Sequence, residues 1–128
     1  MKIYEAINDP LIGPHQDQEL KLMLRGEKPA ALINTWEIDE WRPYIRQKKF
    51  VVKKIPVFGK NVAYVITLPT ESWRANQLEH VYGLLKKADH NDKSKKNIEF
   101  LKKAHGMIGK LLGYSQEAID KFLTNRFG

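Results

Sequence analysis

Phe50-Val51-Val52-Lys53-Lys54-Ile55-Pro56-Val57, Phe58-Gly59-Lys60-Asn61 and Val62-Ala63-Tyr64-Val65-Ile66-Thr67-Leu68 follow one another without interruption and carry the clearest pattern in the chain. The two outer segments are rich in β-branched and aromatic residues, and the four residues between them are turn formers. The stretch predicts a β-hairpin over about 49–68. Val62, Tyr64, Ile66 and Leu68 share one side of the second strand at period two. Pro56 has no backbone N–H to donate, so the first strand belongs at a sheet edge or at a bulge.

Upstream, residues 2–7 can form a short strand, bounded by the breaks Asp9-Pro10 and Gly13-Pro14. From Pro14 the pattern is helical: Leu20, Met23 and Leu24 share a face and Gly26 suits the exit. Ala30 to Ile33 reads as a second strand. Residues 34–47 read as a short helix, with Pro43 early in it and Trp36, Ile38, Trp41, Tyr44 and Ile45 as its apolar bulk. Downstream of Pro69 the chain is helical to its end. Thr70 or Ser72 can cap a helix whose stripe is Trp73, Gln77, Leu78, Val81, Leu84 and Leu85. Asp89-His90-Asn91-Asp92 is a turn that offers the next N-cap. The second helix carries Ile98, Leu101, Ala104 or His105, Ile108, Leu111 and Leu112. Gly113 ends it, and Ser115 caps a third helix with Ala118, Ile119, Phe122 and Leu123 on its apolar face. The expected fold is α+β: a small antiparallel sheet followed by three C-terminal helices, in a single domain 1–128 with a mixed part (1–69) and a helical part (70–128).

The composition narrows the function. With 128 residues, 42% hydrophobic and 29% charged, the chain can build an ordinary globular core. It has no cysteine, which excludes disulfide scaffolds, thiol catalysis and thiolate-held metals. Glu5, Asn8 and Asp9 interrupt the N-terminal stretch where a secretory signal needs about 7–15 apolar residues. No run approaches the roughly 18–20 apolar residues of a bilayer span. A cytoplasmic protein without a membrane partner is expected.

The formal charge of +7 is unevenly spread. Residues 1–40 sum to −4, and residues 41–128 to +11. Arg42, Arg46, Lys48, Lys49, Lys53, Lys54 and Lys60 fall in a run, 42–60, that contains no acid. Interleaved with Trp41, Tyr44, Phe50 and Phe58, these cations can follow phosphates by charge and offer rings for stacking. The same lysines can also shield an edge strand from pairing with another chain, or face the acidic first third. A second basic cluster, from Lys86 to Lys110, is diluted by Asp89, Asp92 and Glu99 and lies opposite an apolar stripe, as on any surface helix.

Residues 105–124 carry Ile108, Gly109, Leu112, Gly113, Tyr114, Ser115, Ile119 and Phe122 at spacings that resemble the helix-turn-helix DNA-binding motif. The resemblance covers that segment alone. It implies that the helix from Ser115 enters a major groove with Ser115, Gln116, Glu117, Asp120, Lys121 and Thr124 toward the DNA. It adds Gln116 and Lys121 to the candidate nucleic-acid contacts. A structural corner between two helices also uses a glycine, a cap and apolar residues at these positions, with Glu117 and Asp120 favoured by the helix dipole.

No catalytic constellation is visible. His15, His80, His90 and His105 form no pair at metal-ligand spacing, and no phosphate-binding glycine loop precedes a helix. Neither a catalytic residue, a metal ligand nor a cofactor is assigned. The leading expectation is a small basic binding protein that contacts nucleic acid or another polyanion through the hairpin, with the C-terminal helices as a possible second contact. The alternative is a protein-interaction module, an adaptor or inhibitor or a homodimer, with Trp36 and Trp41 as anchors. The third class, a small enzyme, requires His80, His105 or Glu37–Glu40 to converge on a pocket.

Overall fold

A computed structural model describes residues 16–128; the strand read at 2–7 and the helix start at Pro14 lie outside the described residues. Gln16–Leu24 forms α1. Its C-terminus closes where Gly26 was expected to close it, with the Glu27 N–H donating to the Leu22 carbonyl at 2.8 Å. Ala30–Asn34 (β1), Val51–Pro56 (β2) and Val62–Thr67 (β3) then build one antiparallel sheet in the order β1-β3-β2. Ala30 and Val51 both stand opposite Thr67, and Pro56 stands opposite Val62. β2 is therefore an edge strand, where the missing N–H of Pro56 breaks no ladder bond. The hairpin closes through the Val57 N–H to the Asn61 carbonyl, 3.0 Å.

β3 buries side chains on both of its faces. Ala63, Val65, Ile66 and Thr67 are all buried, because the central strand is covered on both sides. On one side Ala31, Ile33 and Ile66 pack with Met23, Ile38, Trp41 and Phe50. On the other, Ala30, Ile55 and Val65 pack beneath the C-terminal helices. The sheet thus separates two cores.

Residues 34–47 are not one helix. A 3₁₀ segment, Thr35–Glu40, hands over to the short helix α2, Arg42–Arg46, with Pro43 in its first turn. Trp41, at the junction, is fully buried. Trp73–Lys87 forms α3, Lys95–Leu111 α4 and Gln116–Phe127 α5. The buried face of α3 is Ala75, Leu78, Val81, Tyr82 and Leu85, whereas Trp73 and Leu84 of the expected stripe are exposed. The Arg74 guanidinium lies 4.7 Å from the Trp73 ring centroid, so the ring is half covered by a cation instead of by core. No side chain caps α3; a 3₁₀ turn, Pro69–Glu71, leads into it. α4 is capped by Ser94, not by the Asp89–Asp92 turn. That turn is used locally: Asp89 accepts from the Asn91 N–H and Asp92 from the Ser94 N–H, each at 2.9 Å. Ser115 caps α5 through the Ala118 N–H, as the sequence suggested.

Gly113 joins α4 to α5 at φ +88, and a Cβ built there would lie 2.5 Å from Cδ of Pro29. Two independent constraints thus demand glycine: a left-handed backbone and the approach of the segment that leads into β1. Gly59 in the hairpin turn, at φ +60, has open space around it and meets only the first. Gly113→Ala is expected to lose about 2–4 kcal/mol of folding stability, and Gly59→Ala about 1 kcal/mol, in urea unfolding. Equal losses would show that the Pro29 contact yields freely.

Candidate nucleic-acid interface and the buried ion pair

The short helix α2 places Arg42 and Arg46 one turn apart on the same face. Both rim a recess of about 270 Å³ lined further by Ile38, Ile45, Val52 and Tyr64. Lys54 is the cross-strand partner of Tyr64, and alternation along β2 puts it on the same side of the sheet as Val52. Three cations and a half-buried phenol ring therefore gather on one face. The Arg42 Nε donates to Asp39 Oδ1 at 2.8 Å, so part of its charge is met by the acidic first third. Among the described residues, no carboxylate lies in ion-pairing reach of Arg46 or Lys54.

The rest of the run disperses. Lys53 points to the opposite side of the sheet, where its ammonium meets Glu79 Oε1 at 2.9 Å and donates to Asn76 Oδ1 at 2.6 Å. Period two forces this: Lys53 and Lys54 are neighbours and must face opposite ways. Lys49 rims a separate recess beside Met23, Phe50 and Leu68, and its ammonium is 6.0 Å from the Tyr44 ring centroid. Lys60 is exposed in the hairpin turn. Gln116 and Lys121 sit exposed on α5, in the helical layer across the sheet from Arg42 and Arg46. Gln116 donates to Asp120 Oδ1 at 2.8 Å.

Lys48 is the unusual member. It adopts φ +61, and it is the sole non-glycine residue with positive φ among those described. Its N–H donates to the Ile45 carbonyl and the Lys49 N–H to the Tyr44 carbonyl, the pattern that ends a helix on a left-handed residue. Glycine ordinarily fills that position, since a Cβ there costs roughly 1–2 kcal/mol.

The most perturbed charges lie elsewhere, and sequence reading missed them. Lys28 and Glu19 are both buried, with Nζ and Oε1 3.5 Å apart, an ionic contact longer than a tight hydrogen bond. The Lys28 ammonium donates to the carbonyls of Ala30 and Leu112 and lies 4.8 Å from the Tyr114 ring centroid. Burial pushes Lys28 down to about 8, against the pull of Glu19, and pushes Glu19 up to about 7, against the pull of Lys28. A lysine and a glutamate nine residues apart give no helical or strand signal, so only the fold reveals the pair. It is closed to solvent, which makes it structural.

Of the histidines, His80 is exposed on α3. His105 is half-buried, with its ring 5.6 Å from that of Phe127. His90 Nε2 is 3.0 Å from the Leu85 carbonyl oxygen. Glu37 accepts from the Asn34 side chain at 3.0 Å. Among the described residues, no three His, Cys, Asp or Glu side chains gather as metal ligands, and no helix is long and apolar enough to cross a membrane. The chain matches no protein-family model, no curated protein and no solved structure.

The folded chain holds the Glu19 proton to about pH 7, whereas the unfolded chain releases it near 4.5, so the folded state binds more protons between these values. Stability from this group therefore falls as pH rises across that window. Relative to the wild type, Glu19→Gln is expected to gain about 2 kcal/mol between pH 5 and pH 7 in urea unfolding; a gain confined to acid would show that the ionised pair is the favoured form. Lys48→Gly is expected to raise stability by about 0.5–1 kcal/mol through relief of the left-handed strain. A loss would mean that the lysine side chain makes a compensating contact.

Proposed function

We propose that this protein binds single-stranded nucleic acid, with the Arg42–Arg46–Lys54 face following phosphates and Tyr64 stacking a base. The observation that carries the reading is the recess itself: an aromatic and aliphatic floor under two arginines, on a face that also holds a lysine with no ion-pair partner among the described residues. Its volume of about 270 Å³ falls just below the range of about 300–1,000 Å³ typical of drug-sized ligands and suits one flat ring. Arginine planes and a phenol ring are sequence-tolerant stacking partners, and the cations supply the salt-sensitive share of affinity. Lys48, held in a strained backbone beside Arg46, fits the pattern of strain retained where a side chain serves binding. In this reading the protein is cytoplasmic, and the hairpin's second lysine, Lys53, serves the fold. Major-groove reading by α5 draws less support, since Glu117 and Asp120 are exposed beside Gln116 and Lys121 and one of them occupies Gln116.

A protein-interaction module is the second reading, and Trp36 favours it. The ring is 77% exposed, the most open of the large apolar side chains described, whereas Trp41 is removed as an anchor by its burial. A shift in sedimentation mass or a stoichiometric protein capture abolished by Trp36→Ala would select this reading.

Neutralising about three phosphates on a single strand predicts that log K falls with log salt at a slope of about −2. Fluorescence anisotropy with a labelled single-stranded oligonucleotide checks it. Arg42→Gln with Arg46→Gln is expected to weaken binding at least about tenfold and to flatten the slope by about 1.4. Lys53→Gln is expected to leave both unchanged. Salt-independent binding, or a double variant that binds like the wild type, would refute the proposal.

A further inference from the structure

A second cavity lies on the helical side of the sheet and takes no part in that reading. It has a volume of about 410 Å³ and is lined by His90, Lys93, Ile98, Leu101, His105, Arg126 and Phe127. Ile98, Leu101 and His105 share one face of α4, spaced three and four residues apart, and α5 brings Arg126 and Phe127 across from them. The volume is within the range of small-molecule sites.

Its lining has an unusual chemistry: two cations, two imidazoles and three apolar side chains, with no acid among them. Lys93 and Arg126 are exposed, and neither has an ion-pair partner among the described residues. The Nε2 atom of His105 is shut off from solvent without a hydrogen-bond partner. Burial, and then the charges of Arg126 and His90, push His105 down to about 4, so its imidazole is neutral near pH 7 and offers one N–H. The rings of Phe127 and Phe122, at 5.6 and 6.1 Å, fix its plane. His90 is fixed in turn by the Leu85 carbonyl.

We propose that this cavity binds a small organic phosphomonoester, with its phosphate between Lys93 and Arg126 and its organic body on Ile98, Leu101, Phe127 and the His105 ring. An ammonium and a guanidinium supply enough N–H donors for the three terminal oxygens of a phosphomonoester, and the apolar floor accounts for the organic part. A bare cation is repelled by this lining, and a neutral apolar ligand leaves Lys93 and Arg126 unused.

The test is a titration of the full chain with phenyl phosphate, followed by the ¹H–¹⁵N signals of the histidine rings. Saturable shifts of the His105 and His90 rings are expected, with affinity at least about tenfold above that of phenol or of inorganic phosphate. Arg126→Gln and Lys93→Gln are exposed changes that keep the fold, and each is expected to weaken binding about tenfold. The Arg42→Gln, Arg46→Gln variant is expected to bind phenyl phosphate as the wild type does, which separates this site from the nucleic-acid face. Absence of saturable shifts overturns the proposal. So do equal affinity for phenol, indifference to Arg126→Gln and Lys93→Gln, and loss of binding in the Arg42→Gln, Arg46→Gln variant.

Discussion

The ammonium of Lys28 is the point on which the two halves of this fold meet. It has no contact with solvent, and it donates to a carbonyl at the start of β1 and to a carbonyl at the end of α4. Glu19 of α1 and the face of Tyr114 complete its surroundings. An ammonium withdrawn from water is tolerated only when nearly every donor is used, so the group accepts few alternative arrangements. Immediately beside it, Pro29 fills the space that a side chain at Gly113 would need. The strand entry and the helical corner are thereby fixed against one another by a charge on one side and by steric fit on the other. The glycine that gives 105–124 its likeness to a helix-turn-helix therefore has a demonstrable packing role of its own.

From that anchorage follows the sorting of charge. With β3 covered on both sides, each side of the sheet belongs to a different neighbour: α2 and the 3₁₀ segment on one, α3 to α5 on the other. A basic run that is continuous in sequence is consequently divided. Lys53 is drawn to Glu79 and Asn76 of α3, while Lys54 stays with Arg42, Arg46 and Tyr64. The recess rimmed by Arg42 and Arg46 and the cavity lined by Lys93 and Arg126 lie on opposite sides of the sheet. The first has an arginine rim over a phenol; the second sets two imidazoles beside two cations, and their chemistries suit different ligands.

Much of the architecture was legible locally. β-branched density marked the hairpin, Pro56 marked its edge, Gly26 and Gly113 marked helix exits, and Ser115 marked a cap, because each of these acts through its own backbone or its immediate neighbours. Residues 34–47 divide into two short helical pieces instead of one helix because apolar bulk there signals burial without specifying a period, and Trp41 is the residue that the core takes. The stripe on α3 was misplaced by its ends: Trp73 is satisfied by a stacked guanidinium, and Leu84 lies outside the contact with the sheet. On the candidate face, Arg42, Arg46 and Lys54 were named from the sequence, but Tyr64 was counted only as an apolar strand residue. The second cavity was out of reach, since His90, His105 and Arg126 become neighbours only when α4 and α5 fold back on each other.

By itself, then, the sequence determined the α+β class, the hairpin with its proline edge, the three closing helices and the location of the excess positive charge. These are properties of short windows, set by side-chain shape, backbone donors and periodicity. The tertiary structure alone decided which strand is central, which lysines are neutralised, which tryptophan is core, and that Glu19 and Lys28 share a dry interior. Those outcomes depend on partners far apart in the chain, and burial, which makes a charge costly or a ring available, is conferred by the whole assembly of elements rather than by any one of them.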